Sequence, residues 1–327
     1  MQRPVVLVAL LALMPCAELN SQTIRRETTI ALPAGASVST EFLPRSSTIC
    51  RLGDRIAAIL SDKTVRVWEL PSGKLAKTLD MRQPARTVEL SNDCRLLAIA
   101  DASGAVSVWS TGSWQVQRKL SSALPVSILA ISPDNRLVVG AGHFDDQVWD
   151  LSAGQHLTTV RPTFGNSMAM SFSPDSTLLA TADADTAVRV YNARTGALRS
   201  SVTELMLEPL ALAFSADGGY LLAGGADRTI SVADAVTGKI RRALPKQPGV
   251  LSVLVISADG KRACALYYPR DRFDHLGVAL VWDLDTDSIR ARFDEQSEPL
   301  MPVAAFVGDR LLLTTVHTNE LTVWSLQ

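Results

Sequence analysis

Ile131-Ser132-Pro133-Asp134-Asn135-Arg136-Leu137-Val138-Val139-Gly140, followed by Gln147-Val148-Trp149-Asp150, is the stretch that decides the fold. Ser-Pro-Asp is turn chemistry, because proline presets φ and the serine and aspartate side chains bond nearby backbone. Apolar, β-branched runs stand on both sides, so the segment reads as strand, turn, strand, turn, strand. The same turn recurs as Ser91-Asn92-Asp93, Ser173-Pro174-Asp175, Ser215-Ala216-Asp217 and Ser257-Ala258-Asp259, with the aspartates 41, 41, 42 and 42 residues apart. Gly53-Asp54 and Gly308-Asp309 extend the register at both ends, and the step of 50 from Asp259 to Asp309 implies an insertion of about eight residues.

A second landmark keeps the same period: Trp68, Trp109, Trp149, Tyr191, Ala233, Trp282 and Trp324. Between landmarks each repeat reads as four short strands, such as 128–131, 137–140, 147–149 and 156–160. A four-stranded sheet of this size cannot bury both faces alone, so seven of them must stack, and a ring leaves no terminal face exposed.

These residues resemble the WD40-repeat β-propeller family, through the Ser-Pro-Asp-type turn and the strands ending in Trp149-Asp150 and Trp282-Asp283. The resemblance covers about residues 22–327. It implies an all-β fold: a seven-bladed propeller of four-stranded antiparallel blades, forming one domain over 18–327. The last repeat stops three residues past Trp324, so its outer strand must come from elsewhere. Thr23-Ile24-Arg25-Arg26-Glu27-Thr28 resembles the outer strand Lys239-Ile240-Arg241-Arg242-Ala243-Leu244, and a strand within 23–30 is expected to complete blade seven; 37–42 is the alternative.

Departures from the family pattern are as telling. The family's aspartate six residues before the tryptophan is matched by Asp62, Asp185 and Asp227, but Ser103, His143, Leu276 and Thr318 stand at the other positions. The Gly-His pair is absent, so the family's Asp-His-Ser/Thr-Trp network cannot assemble and apolar packing must carry more of the stability. Every link between repeats contains a proline, at Pro33, Pro84, Pro125, Pro162, Pro209, Pro248 and Pro299, which implies a rigid rim. Ala233 implies thinner packing in blade five.

Residues 1–17 read as a signal peptide: Arg3, then ten apolar residues from Val5 to Met14, then Pro15-Cys16-Ala17. The run is about half the length needed to span a bilayer. Cleavage after Ala17 and a lipoprotein-type attachment at Cys16 both imply an exported chain, periplasmic, envelope-associated or secreted; the alternative is an apolar N-terminus that is not a signal, on a cytoplasmic chain. Without Cys16, the odd set of Cys50, Cys94 and Cys264 argues against a disulfide framework, and Cys50 and Cys264, standing where other repeats carry apolar core residues, read as small buried hydrophobes.

Thirty-two Lys and Arg against 33 Asp and Glu leave a net charge of −1, which disfavours nucleic acid as a partner. No phosphate-loop, dinucleotide, zinc-protease or nucleophile-elbow motif occurs, so no cofactor, resident metal or catalytic residue is expected. His143, His275 and His317, with Asp145, Asp146, Asp271 and Asp274, are the residues that could make a metal or acid/base pair; as solvated turn residues they would do neither. The insertion Tyr267-Tyr268-Pro269-Arg270-Asp271-Arg272-Phe273-Asp274-His275 concentrates the residue types of interface hot spots. Tyr267, Tyr268, Arg270, Arg272, Phe273 and His275 are candidate partner contacts, or the two tyrosines simply finish a strand. Trp114, at a turn position held by glycine in other repeats, is expected to be exposed as a second contact. The function implied is a non-enzymatic platform for protein partners, with membrane contact only through a lipid at Cys16. A hydrolase or lactonase, or a small-ligand binder at the channel mouth, is the alternative.

Overall fold

The computed structural model describes residues 24–39, 47–50, 53–122, 125–142, 144–163, 165–205, 207–268, 277–294, 300–308, 310–317 and 320–326. They form seven four-stranded antiparallel sheets, each ordered a to d from the inside outward. Blades 1 to 6 span 47–80, 85–121, 128–160, 167–202, 209–243 and 250–294. Blade 7 takes strands a to c from 300–326 and its outer strand from Ile24–Ala31. That strand pairs from Ile24 with Leu326 to Ala31 with Glu320, so chain start and chain end close the ring together. In the alternative segment, Val38 makes an isolated bridge to Leu60.

Local chemistry explains the recurring turns. In all five Ser-x-Asp turns the serine hydroxyl donates to the aspartate, at 2.5–2.7 Å. The same carboxylates accept the backbone N–H two residues on, from Arg95, Arg136, Thr177, Gly219 and Lys261. These bonds hold the carboxyls of Asp175, Asp217 and Asp259 below their ordinary range, the serine bond contributing most. The residue after each aspartate, or its counterpart, takes positive φ: Gly53, Cys94, Asn135, Ser176, Gly218, Gly260 and Gly308.

These left-handed residues also join one blade to the one before. Asn135 Nδ2 donates to Asp93 at 2.7 Å, and Ser176 Oγ accepts from the Asp134 N–H at 3.1 Å. At Gly53 a Cβ would lie 2.4 Å from Val307 of blade 7, so only glycine fits. Between blades 1 and 2 the link is covalent: Cys94 and Cys50 form a disulfide with Cα atoms 5.4 Å apart. This corrects the reading of Cys50 as an unpaired hydrophobe. An odd cysteine count excludes complete pairing, not one pair, and the remaining Cys264 is free and buried as expected.

Between blades, the aromatic landmark of one strand c packs on the preceding blade. Trp68 lies with Leu312 and Val323, Trp149 with Ala98 and Val108, and Trp282 with Leu222 and Val232. Trp68, Trp149, Tyr191 and Trp282 are buried, whereas Trp109 and Trp324 are half-buried. Immediately before each landmark in blades 1 to 6 the pairing of strands c and d shifts by one residue, a bulge that strengthens the twist. The bulge persists at Ala233, where the seam with blade 4 closes on Ala180, Ala182, Ala223 and Ala235.

Candidate functional site

Turns between strands b and c share one face of the ring with the links between blades. On that face, Phe144 stands in the b–c turn of blade 3, 64 % exposed. Its φ of 68° matches the turn residues Lys63, Thr186 and Arg228, so the backbone repeats while the side chain departs. Its N–H donates to Asn166 Oδ1 at 3.4 Å, and the neighbouring Asp145 pairs with Arg161 at 3.0 Å. Thus an apolar ring is presented by a turn tied to the next link and flanked by an exposed ion pair.

Beneath the turn lies a cluster of buried and part-buried charged groups. Asp146 opens strand c of blade 3, Asp146–Asp150, and is fully buried. Ser167, at the start of Ser167–Phe172 in blade 4, lies 2.6 Å from Asp146 Oδ2 and 3.1 Å from Asp183 Oδ1. Arg189 binds Asp183 at 2.5 Å and Asp185 at 2.6 Å. Burial pushes the Asp146 carboxyl up to about 7, against the Ser167 hydrogen bond and helped by Asp183. Burial raises Asp183 as well, with Arg189 opposing, and pushes Tyr191 up to about 12. The cluster fastens blade 3 to blade 4.

The b–c aspartates have structural duties. Asp62 accepts from Thr64 and Arg66, Asp185 from Ala187 and Arg189, and Asp227 from Thr229. Tyr267 and Tyr268 both belong to strand b of blade 6, Arg262–Tyr268. Tyr267 is only 3 % exposed and packs with Trp282, so it is a core residue; Tyr268 is half-buried. With Pro248, Val278 and Arg292 they line a small cleft of about 120 Å³. Arg270, Arg272, Phe273 and His275 lie outside the described residues, as do His143, Asp271 and Asp274.

Trp114 differs from its expected exposure. It takes φ 55° at the glycine position but is half-buried against the cluster containing Cys50 and Cys94. Arg55 lies over its ring, 5.9 Å from the centroid, and donates to Cys94 O at 3.3 Å. The ring folds back over the seam because leaving it in water would forfeit the apolar surface of blades 1 and 2.

Along the axis run two adjoining cavities of about 310 and 290 Å³. Both are lined by Ala130, Met170, Leu212 and Val255, with Glu89 the carboxylate among the described lining residues; Thr48 donates to it at 3.4 Å. Sequence reasoning passed over Phe144 and the role of Ser167. The available signal was an aromatic in a solvent-facing turn whose counterparts are polar.

Blades radiating around a channel, each a four-stranded sheet with its innermost strand on the axis, define a β-propeller. Residues 154–192 and 208–234 match the family described as WD domain, G-beta repeat. The chain is a seven-bladed β-propeller whose repeats are similar to those of the WD40 family. It is 30 % identical over 156 residues to the WD repeat-containing protein SL1-17 of Schistosoma mansoni, a match covering 45 % of this chain and 49 % of that protein. It is 26 % and 25 % identical over 111 residues to WD repeat-containing protein 3 of Mus musculus and of Homo sapiens, covering 34 % of this chain and 12 % of each relative. The matched region thus spans about half of the first relative and a much smaller part of the other two.

Proposed function

We propose that this propeller is a non-enzymatic platform for protein partners, working outside the cytoplasm, with the Phe144 face as its docking surface. The observation that carries the reading is Phe144 itself: a large apolar side chain held out in solvent on a turn fixed by the adjacent link. Aromatics so placed gain most when a partner buries them. The blade 6 insertion, with Tyr268, Arg270, Arg272, Phe273 and His275, is a second candidate contact, of which Tyr268 alone lies within the described residues.

Export is supported by two features that do not depend on one another. The apolar run 5–14 has the length of a signal segment, with Cys16 or Ala17 at its end. The Cys50–Cys94 disulfide suits an oxidising compartment. Lipid attachment at Cys16 would tether the ring to a membrane.

The test is capture of partners from a cell-envelope extract on the chain starting at Glu18, against Phe144→Ala and against a Tyr268→Ala, Phe273→Ala double variant. All baits must first melt at the same temperature. Enrichment of one protein by the parent, and its loss with Phe144→Ala, supports the docking face. Equal retention by all three baits removes both surfaces from the reading.

A further inference from the structure

The contacts at Ser167 demand a proton that two ionised aspartates could not supply. A hydroxyl carries one hydrogen and can donate to one carboxylate. Yet Ser167 Oγ is within hydrogen-bond distance of both Asp146 and Asp183. The second contact is a hydrogen bond only if a carboxylic O–H donates to the serine oxygen. Asp183 has Arg189 at 2.5 Å and is the member that stays charged. Among the described residues Asp146 has no cation partner and its Oδ1 no hydrogen-bond partner, and the residue is 0 % exposed. A neutral carboxyl tolerates that environment and a carboxylate does not. The order is therefore Asp146 O–H to Ser167 Oγ, Ser167 O–H to Asp183, and Arg189 to Asp183.

Titratable groups face this relay from several elements. Strand c of blade 4 contributes Arg189 and the un-ionised Tyr191, the b–c turn of blade 4 contributes Asp185, and the b–c turn of blade 3 contributes Asp145, already paired with Arg161. One half-buried cation, Arg189, thus faces Asp183 and Asp185 while Asp146 is neutral. Ionising Asp146 adds a third carboxylate and no further cation.

We propose that the seam between blades 3 and 4 is a proton-operated latch: the proton held along Asp146, Ser167 and Asp183 clamps the two blades, and its loss to water loosens the turn that presents Phe144. No other bond changes. Asp146 is two residues from Phe144, so repulsion within the seam acts on the turn directly. Burial of Asp146 sets the switch near neutrality. The latch is independent of what the face binds.

Its test accordingly uses no partner. In the chain from Glu18, amide exchange of peptides covering 142–146 and 166–170 is compared at about pH 6 and about pH 8.5, corrected for intrinsic rates. The parent is expected to lose protection at least about tenfold at the higher pH, and Asp146→Asn, which carries its protons permanently, to keep it. An identical pH response in parent and variant overturns the latch. Should Asp146→Asn not fold, infrared difference spectra of the parent decide. A protonated-carboxyl band is expected at about pH 6, where ordinary aspartates are ionised, and to vanish at about pH 8.5; no such band overturns the latch.

Discussion

Removing the Cys50–Cys94 link should cost the propeller more than removing the hydrogen bond that occupies the same place one blade on. The two cysteines are 44 residues apart. Closing a loop of that size lowers the entropy of the unfolded chain by an amount worth about 4 kcal/mol at room temperature. Spread over roughly 300 residues at about 2.1 cal/mol/K each, it corresponds to about 6 °C in Tm. Asn135→Ala, which deletes the bond to Asp93 between blades 2 and 3, should lose only about 1–2 kcal/mol, or some 2–3 °C. The assay is thermal unfolding of the chain from Glu18 with and without a phosphine reductant, beside a Cys50→Ser, Cys94→Ser variant that reductant should not shift. Alkylation of the denatured, unreduced chain should label Cys264 alone. A Tm unmoved by reductant, or label on all three cysteines, would refute the reasoning, because the seam would then close by packing with no covalent contribution.

Trp68→Ala removes a ring 3 % exposed between blades 7 and 1 and should cost about 3–5 kcal/mol in denaturant melts, more than Trp109→Ala at a half-buried position. Gly238→Ala should unfold blade 5 or lower Tm severely, since the residue has φ 71° and its Cβ would sit 2.2 Å from Ser201 O of blade 4. Asp146 gives stability a definite pH slope. Its carboxyl binds a proton more tightly folded than unfolded, so its contribution is full below about pH 4, falls as pH rises and is gone above about pH 7, a total of about 4 kcal/mol. Denaturant midpoints measured across that range should fall in the parent and flatten in Asp146→Asn. Phe144→Ala should leave Tm unchanged, because the ring is 64 % exposed, while abolishing partner capture.

Phe144 and the latch also give the docking face a physical character. A turn held at one end by an Asn166 hydrogen bond and underlain by an uncharged carboxyl is rigid at mildly acidic pH. Rigid presentation of an aromatic lowers the ordering cost that a partner must overcome. Proline in the links acts in the same direction on the rest of the rim, as Pro84, Pro162 and Pro248 do beside blades 2, 4 and 6, whereas Pro209, expected in a link, is the first residue of strand a of blade 5.

What the sequence by itself determined was everything set by neighbours along the chain. The Ser-x-Asp turns bond within five residues, the strand between turn and tryptophan has a fixed length, and the resemblance of 23–28 to 239–244 foretold the closing strand. Blade number and closure were legible for that reason. Contacts across a seam were not, because they join residues about 20 to 45 positions apart whose approach depends on how one sheet lies on the next. Cys50 meets Cys94 only because two left-handed turns face each other. Trp114 is half-buried only because Arg55 and the blade 1–2 cluster receive it. Asp146, one of many turn aspartates to the eye, becomes the odd proton-bearing group only when Ser167 and Asp183 of the next blade exclude water from it.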